Sequence, residues 1–122
     1  MTEKTIISTE NAPSAIGTYS QAVKAGNTVY ISGQIPLNPK TMEMVTESFE
    51  AQAVQVFDNL KAIAEAADGS LSEFVKITVL LSDLKYFAQV NEVMERYFSA
   101  PYPARAAFAV KALRKDADIE VE

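Results

Sequence analysis

The chain has 122 residues, 48% of them apolar and 22% charged, the profile of a folded soluble domain and too short for two ordinary ones. It contains no cysteine and no histidine, which removes disulfides, thiolate chemistry, zinc ribbons and every catalytic arrangement built on an imidazole. The 11 basic and 16 acidic residues give a net charge of −5, which counts against nucleic-acid binding, because that binding draws its non-specific affinity from phosphate neutralisation.

Residues 4–8 (KTIIS) form a short candidate strand. Beyond a loop around Pro13 and Gly17, residues 20–25 and 28–33 read as a hairpin turned at Gly26-Asn27. The prolines between Pro36 and Lys40 mark a loop. Phe49, Ala53, Val56, Phe57, Leu60, Ile63, Ala64 and Ala67 recur at helical spacing and predict a helix over 49–68. Thr46 or Ser48 caps its start, and Gly69 stands where a left-handed C-terminal residue belongs. Residues 74–82 (FVKITVLLS) predict a strand with Val75, Ile77, Val79 and Leu81 on one face, the other being partly apolar too. A second helix is expected over 84–98, with Phe87, Val90, Met94, Tyr97 and Phe98 inward, stopped by Pro101 and Pro103. Residues 104–111 and 118–122 close the chain as two strands, and the short loop between them predicts an antiparallel pair.

The order β-β-β-α-β-α-β-β describes a single α+β domain over 1–122, with both helices on one side of a mainly antiparallel sheet. The uncovered face, carrying apolar and small residues, calls for a closed homo-oligomer. No apolar run is long enough to span a membrane, and residues 1–10 lack the layout of a secretion signal. A cytoplasmic protein without a membrane partner is the expectation.

In ARAAFAVK (104–111), alternation sets Ala106, Phe108 and Val110 on one face and Arg105, Ala107 and Ala109 on the other. If the bulkier set joins the helix-covered core, Arg105 points to the opposite face, among small side chains that leave room beside its guanidinium. Such an arginine suits a planar carboxylate gripped by two parallel hydrogen bonds. In DIEVE (118–122), Ile119 and Val121 face the core and Glu120 the other way, which puts Glu120 and Arg105 in one hollow. Asn91 falls inside the apolar stripe of the second helix, where a buried amide needs a partner and is suited to bonding the backbone around a site.

The runs YSQAVKAGNTVYISGQIPLNP (19–39), NLKAIAEAADGSLSEFVKITVLLSDL (59–84), FAQVNEVMERYF (87–98) and YPARAAFAVKAL (102–113), followed by IEVE (119–122), resemble the RidA (YjgF-type) family of reactive-intermediate deaminases. The match spans nearly the whole chain in the right order. The resemblance implies a chorismate-mutase-like fold assembled as a homotrimer, with an inner barrel of sheets, helices outside and a site in each cleft between subunits. It further implies cofactor-free hydrolysis of 2-imino acids, or enamines such as 2-aminoacrylate, to 2-keto acids and ammonia. By the same resemblance Arg105 is the carboxylate-binding arginine and Glu120 the water-activating glutamate, while Tyr19, Ser32, Gly33, Asn91 and Ala107 line the substrate. Backbone groups near Gly33 and over 105–109 would orient the imine. The chain departs from the family pattern at Thr18 and Arg114, where proline is usual, and at Ala107, where a thiol or hydroxyl is frequent. Two other functions fit the residues: a non-catalytic trimeric binder of 2-keto acids or small amino acids, and an endoribonuclease, against which the missing histidine and the net charge count.

Overall fold

A computed structural model describes residues 3–122. Its elements are β1 (Lys4–Ile7), β2 (Ala22–Ala25), β3 (Thr28–Ile31), α1 (Phe49–Ala66), β4 (Lys76–Leu81), α2 (Phe87–Tyr97), β5 (Ala104–Ala109) and β6 (Ile119–Val121). The strands form two three-stranded sheets, ordered β1-β2-β3 and β5-β4-β6, joined where Gln34 exchanges two backbone bonds with Val121. The mixed α+β order agrees with the sequence reading, but the strands divide into two sheets where one was expected.

The β2–β3 hairpin turns at Gly26, whose φ of 60° is the left-handed geometry a two-residue turn demands. Helix α1 starts where the Ser48 hydroxyl accepts the Ala51 N–H at 3.0 Å. At its other end the left-handed residue is Asp68, φ 63°, one position before the expected Gly69, whose N–H instead closes on the Ala64 carbonyl. The expected single helix over 84–98 begins as a 3-10 turn at Leu84–Tyr86.

Strand β4 is the centre of its sheet, and here the structure corrects the expected last hairpin. β5 pairs parallel to β4, in the register Ile77↔Arg105 and Val79↔Ala107, while β6 pairs antiparallel to β4's other edge at Leu80↔Glu120. β5 and β6 therefore do not touch as a ladder. A strand apolar on both faces belongs in a sheet's interior, so β4 takes both neighbours, and α2 supplies the crossover that a parallel pair requires. The chain then passes over the end of β4 through a 3-10 turn at Arg114–Asp116, with Lys115 and Asp116 both left-handed.

The face assignment of β5 is also corrected. Ile77, Val79 and Leu81 are fully buried under the helices, so their partners Arg105, Ala107 and Ala109 share the helix-covered side. Phe108 takes the open face and is 53% exposed. The side chains of Val90, Met94 and Phe98 already fill the space beneath α2, so small residues fit there and the bulky one does not.

The core lies between α1, α2 and the sheets, around Phe57, Leu60, Ile77, Val79, Leu81, Ile119 and Val121. Helix α1 spans both sheets, since its Ile63 packs with Ala12 and Ala22 of the first half. The hydroxyl of Tyr97 donates to Asp58 at 2.7 Å, binding α2 to α1; burial first, and that bond second, push its phenol well above the ordinary value. Phe57 is fully buried against the Tyr97 and Phe98 rings at 5.5 and 5.9 Å. Phe57→Ala is expected to cost about 3–5 kcal/mol, measured as a lowered midpoint of urea unfolding with unchanged slope.

Candidate functional site

The sequence-predicted residues assemble into two groups rather than one. In the first, β5 and α2 place Arg105 against a single turn-spaced stripe of the helix. Its Nη1 donates to Asn91 Oδ1 at 2.7 Å and reaches Met94 Sδ at 3.4 Å, and its guanidinium carbon lies 5.0 Å from the centre of the Phe87 ring. Among the described residues Nε and Nη2 have no hydrogen-bond partner. The guanidinium is thus fixed by one nitrogen and one face, while the remaining edge, with its parallel N–H groups, is open to solvent. Asn91 bonds the arginine side chain directly and not the backbone around a site, as the sequence had suggested. Ala107 lies two residues along the same face of β5, half-buried against the core.

Phe87 is the residue of this group that sequence reading missed, having been placed with the inward apolar stripe. It is 38% exposed and lies one turn before Asn91, which lies one turn before Met94 and Glu95. The spacing of four between Phe87 and Asn91 was the available signal, since residues so spaced share a patch of helix surface.

The second group forms where the two sheets join. Ile119 and Val121 are buried, so Glu120, paired with Leu80, turns its carboxylate to the helix-free face. There it lies directly over Gly33: a Cβ built on that glycine would collide with Glu120 Oε2. A side chain at position 33 and the carboxylate cannot share this space. Ser32, next to it, donates its hydroxyl to the Ser20 carbonyl and its N–H to the Gln21 carbonyl at 3.0 Å. Its hydroxyl proton is thereby committed to holding the loop. Tyr19 is 42% exposed, with its hydroxyl accepting the Ile16 N–H at 3.1 Å, and it lines a hollow of about 140 Å³ together with Gly33, Gln34, Arg114 and Lys115.

Two buried glutamines that the sequence did not flag build this wall. Gln21 accepts the Thr9 N–H at 2.6 Å and donates to the carbonyls of Thr9, Ala12 and Pro13, fastening the loop that ends at Tyr19. Gln34 brackets Gly33 from the other side, its amide donating to the Ser32 carbonyl at 3.1 Å while its backbone pairs with Val121 beside Glu120. Gln52 on α1 accepts the Asp118 N–H at 2.9 Å and so anchors the start of β6. Polar residues on a helix read as surface unless their partners are known, and for that reason Gln52 escaped notice.

Within one chain, then, Arg105 and Glu120 do not share a hollow. Arg105 pairs with Ile77 and Glu120 with Leu80, three positions apart on β4, so the two side chains leave the sheet on opposite faces. With the face assignment of β5 corrected, the two residues have no common cavity within one copy.

Comparison with known proteins gives a consistent picture. The family model described as endoribonuclease L-PSP matches residues 9–122. A RutC family protein of Pyrococcus horikoshii is 52% identical over 119 residues, 98% of this chain and 94% of the relative. A 2-iminobutanoate/2-iminopropanoate deaminase of Dermatophagoides farinae is 46% identical over 122 residues, 100% of this chain and 95% of the relative. Among solved structures, RidA from the Antarctic bacterium Psychrobacter sp. PAMC 21119 superposes with a TM-score of 0.93 at 58% identity, covering 96% of this chain and 94% of that one. By sequence over nearly its full length and by fold, the chain belongs to the RidA/RutC family, the group that the endoribonuclease L-PSP model describes.

Proposed function

We propose that the protein hydrolyses 2-imino acids and their enamine tautomers, 2-aminoacrylate among them, to 2-keto acids and ammonia without a cofactor. The observation that carries this reading is the Arg105 guanidinium, held by Asn91 and Phe87 with its Nε–Nη2 edge free. That edge matches a carboxylate in the plane of an adjacent C=N, and gripping it fixes the imine carbon. Glu120 supplies the second half. Its carboxylate takes a proton from water as the water oxygen bonds to C2, and passes that proton to the imine nitrogen, giving a neutral carbinolamine. In the collapse the hydroxyl proton goes to the nitrogen by the same carboxylate as the C–N bond breaks, so that ammonia leaves, the keto group remains and Glu120 is again ionised. A carboxylate does this work without a histidine.

Since Arg105 and Glu120 leave opposite faces of the sheet, this chemistry requires two copies of the chain. The Arg105 edge of one meets the Gly33–Glu120 wall of the next, and three copies close the arrangement into a ring. The helix-free face supports such an assembly, for it exposes Ile6, Tyr30 and Phe108 across its width. The names of two relatives, one of them the Dermatophagoides deaminase, point to the same reaction.

The test is to generate 2-aminoacrylate or 2-iminobutanoate in place with an amino-acid-consuming enzyme and follow keto acid release with and without the protein. Acceleration supports the proposal. Binding of 2-oxobutyrate with no acceleration would make the protein a binder of keto acids instead. The description carried by the family model favours RNA cleavage as a second reading. It would gain the field if cleavage persisted through repeated purification and vanished in Arg105→Ala. Gly33→Ala gives a sharper check on Glu120. The added methyl expels the carboxylate from its place, so kcat is expected to fall about 100-fold while 2-oxobutyrate affinity changes little.

A further inference from the structure

The hollow beside Gly33 has a feature the reaction above does not use. Its lining includes Tyr19, Gly33, Gln34, Arg114 and Lys115, and among the described residues those two cations are its only charged lining residues. Among the described residues the ion pair is Arg96–Glu50, so neither Arg114 nor Lys115 has a carboxylate partner. The backbone of the turn that carries them is held at a cost. Lys115 and Asp116 are consecutive non-glycine residues with φ of 55° and 57°, a left-handed pair that L side chains rarely adopt. Glu120, which lies over Gly33, and Asp116, which follows Lys115 in the same turn, each bring a negative charge to this end of the molecule, and neither pairs with the two cations.

We infer that the Arg114–Lys115 turn selects substrates bearing a second carboxylate, so that short dicarboxylic 2-imino acids are the preferred class. This rests on the imine-hydrolysis reading. With the first carboxylate on Arg105 of a neighbouring copy and C2 beside Glu120, the side chain of the substrate extends along Gly33 into the hollow. A neutral side chain meets two unpaired cations there, whereas a carboxylate at the end of two or three carbons meets charge-assisted donors. Both cations are exposed, so solvent screens the gain and about tenfold is the expected scale.

The experiment compares 2-iminoglutarate with 2-iminobutanoate, each produced in place by an amino acid oxidase with catalase present, on the full chain. The wild type is expected to favour the dicarboxylate about tenfold in kcat/KM. In the Arg114→Gln/Lys115→Gln double variant that ratio falls toward one, and Arg114→Lys, which keeps the charge, retains most of it. A wild-type ratio near one, or a ratio the double variant leaves unchanged, overturns the inference. Should neither imine be hydrolysed faster, the reaction itself is wrong, and calorimetry with 2-oxoglutarate and 2-oxobutyrate then decides the selectivity separately. A preference for 2-oxoglutarate that the double variant abolishes sustains the role of the turn, and equal binding ends it.

Discussion

Arg105→Ala is expected to lower kcat/KM for 2-iminobutanoate roughly 100-fold or more and to weaken 2-oxobutyrate binding by a similar factor. Two parallel charge-assisted bonds to a carboxylate are together worth about 3–4 kcal/mol, and each 1.4 kcal/mol is a factor of ten. The substitution leaves the fold in place, because Arg105 lies on the exposed edge strand outside the core cluster. Its loss should shift stability by no more than about 0.5–1 kcal/mol, read from the urea midpoint. Arg105→Lys separates charge from geometry. An ammonium keeps the attraction but has no planar fork, so activity should recover only in part. If Arg105→Ala retained wild-type kcat/KM on a folded protein, the substrate carboxylate would have to be held elsewhere and the proposed reaction would lose its anchor.

The second large effect concerns mixtures. Arg105→Ala and Glu120→Ala are each expected to be inactive, yet unfolding the two together and refolding them in equal amounts should restore about a quarter of wild-type activity. In the proposed assembly, with one site between each pair of neighbours, a working site needs an intact arginine from one copy and an intact glutamate from the next. Random assembly supplies each with even odds. Were both residues taken from the same chain, mixing would restore nothing, and that outcome would refute the division of the site between copies. The opposite faces assigned by the Ile77↔Arg105 and Leu80↔Glu120 registers make this the most direct question to ask of the assembly.

What could be read before the structure follows a physical pattern. Helix α1 was legible because eight apolar residues repeat at helical spacing, and the hairpin at Gly26-Asn27 because a left-handed turn admits few residue types. The alternation of Ile119, Glu120 and Val121 set Glu120 away from the core, and the structure agrees. The face of β5 was not legible. Every residue there apart from Arg105 and Phe108 is alanine, and alanine is compatible with either side; only the crowding beneath α2 decides. Strand order lay equally out of reach, because it depends on which edge of β4 each later strand finds, a long-range matter that a local pattern does not encode. The misplaced hairpin came from the strand order, and the hollow expected within one copy from the face of β5.

Among the described residues the rung between Gln34 and Val121 is the backbone ladder that links the two sheets. Gly33 belongs to one half and Glu120 to the other, so the clearance between them measures the relative twist of the two sheets. Amide hydrogen exchange at Gln34 and Val121 would then respond to anything that rotates one half against the other, a neighbouring copy or a bound anion alike. In this fold the Glu120 carboxylate is placed by a joint one rung wide, and α1, laid across both sheets, is the splint that braces it.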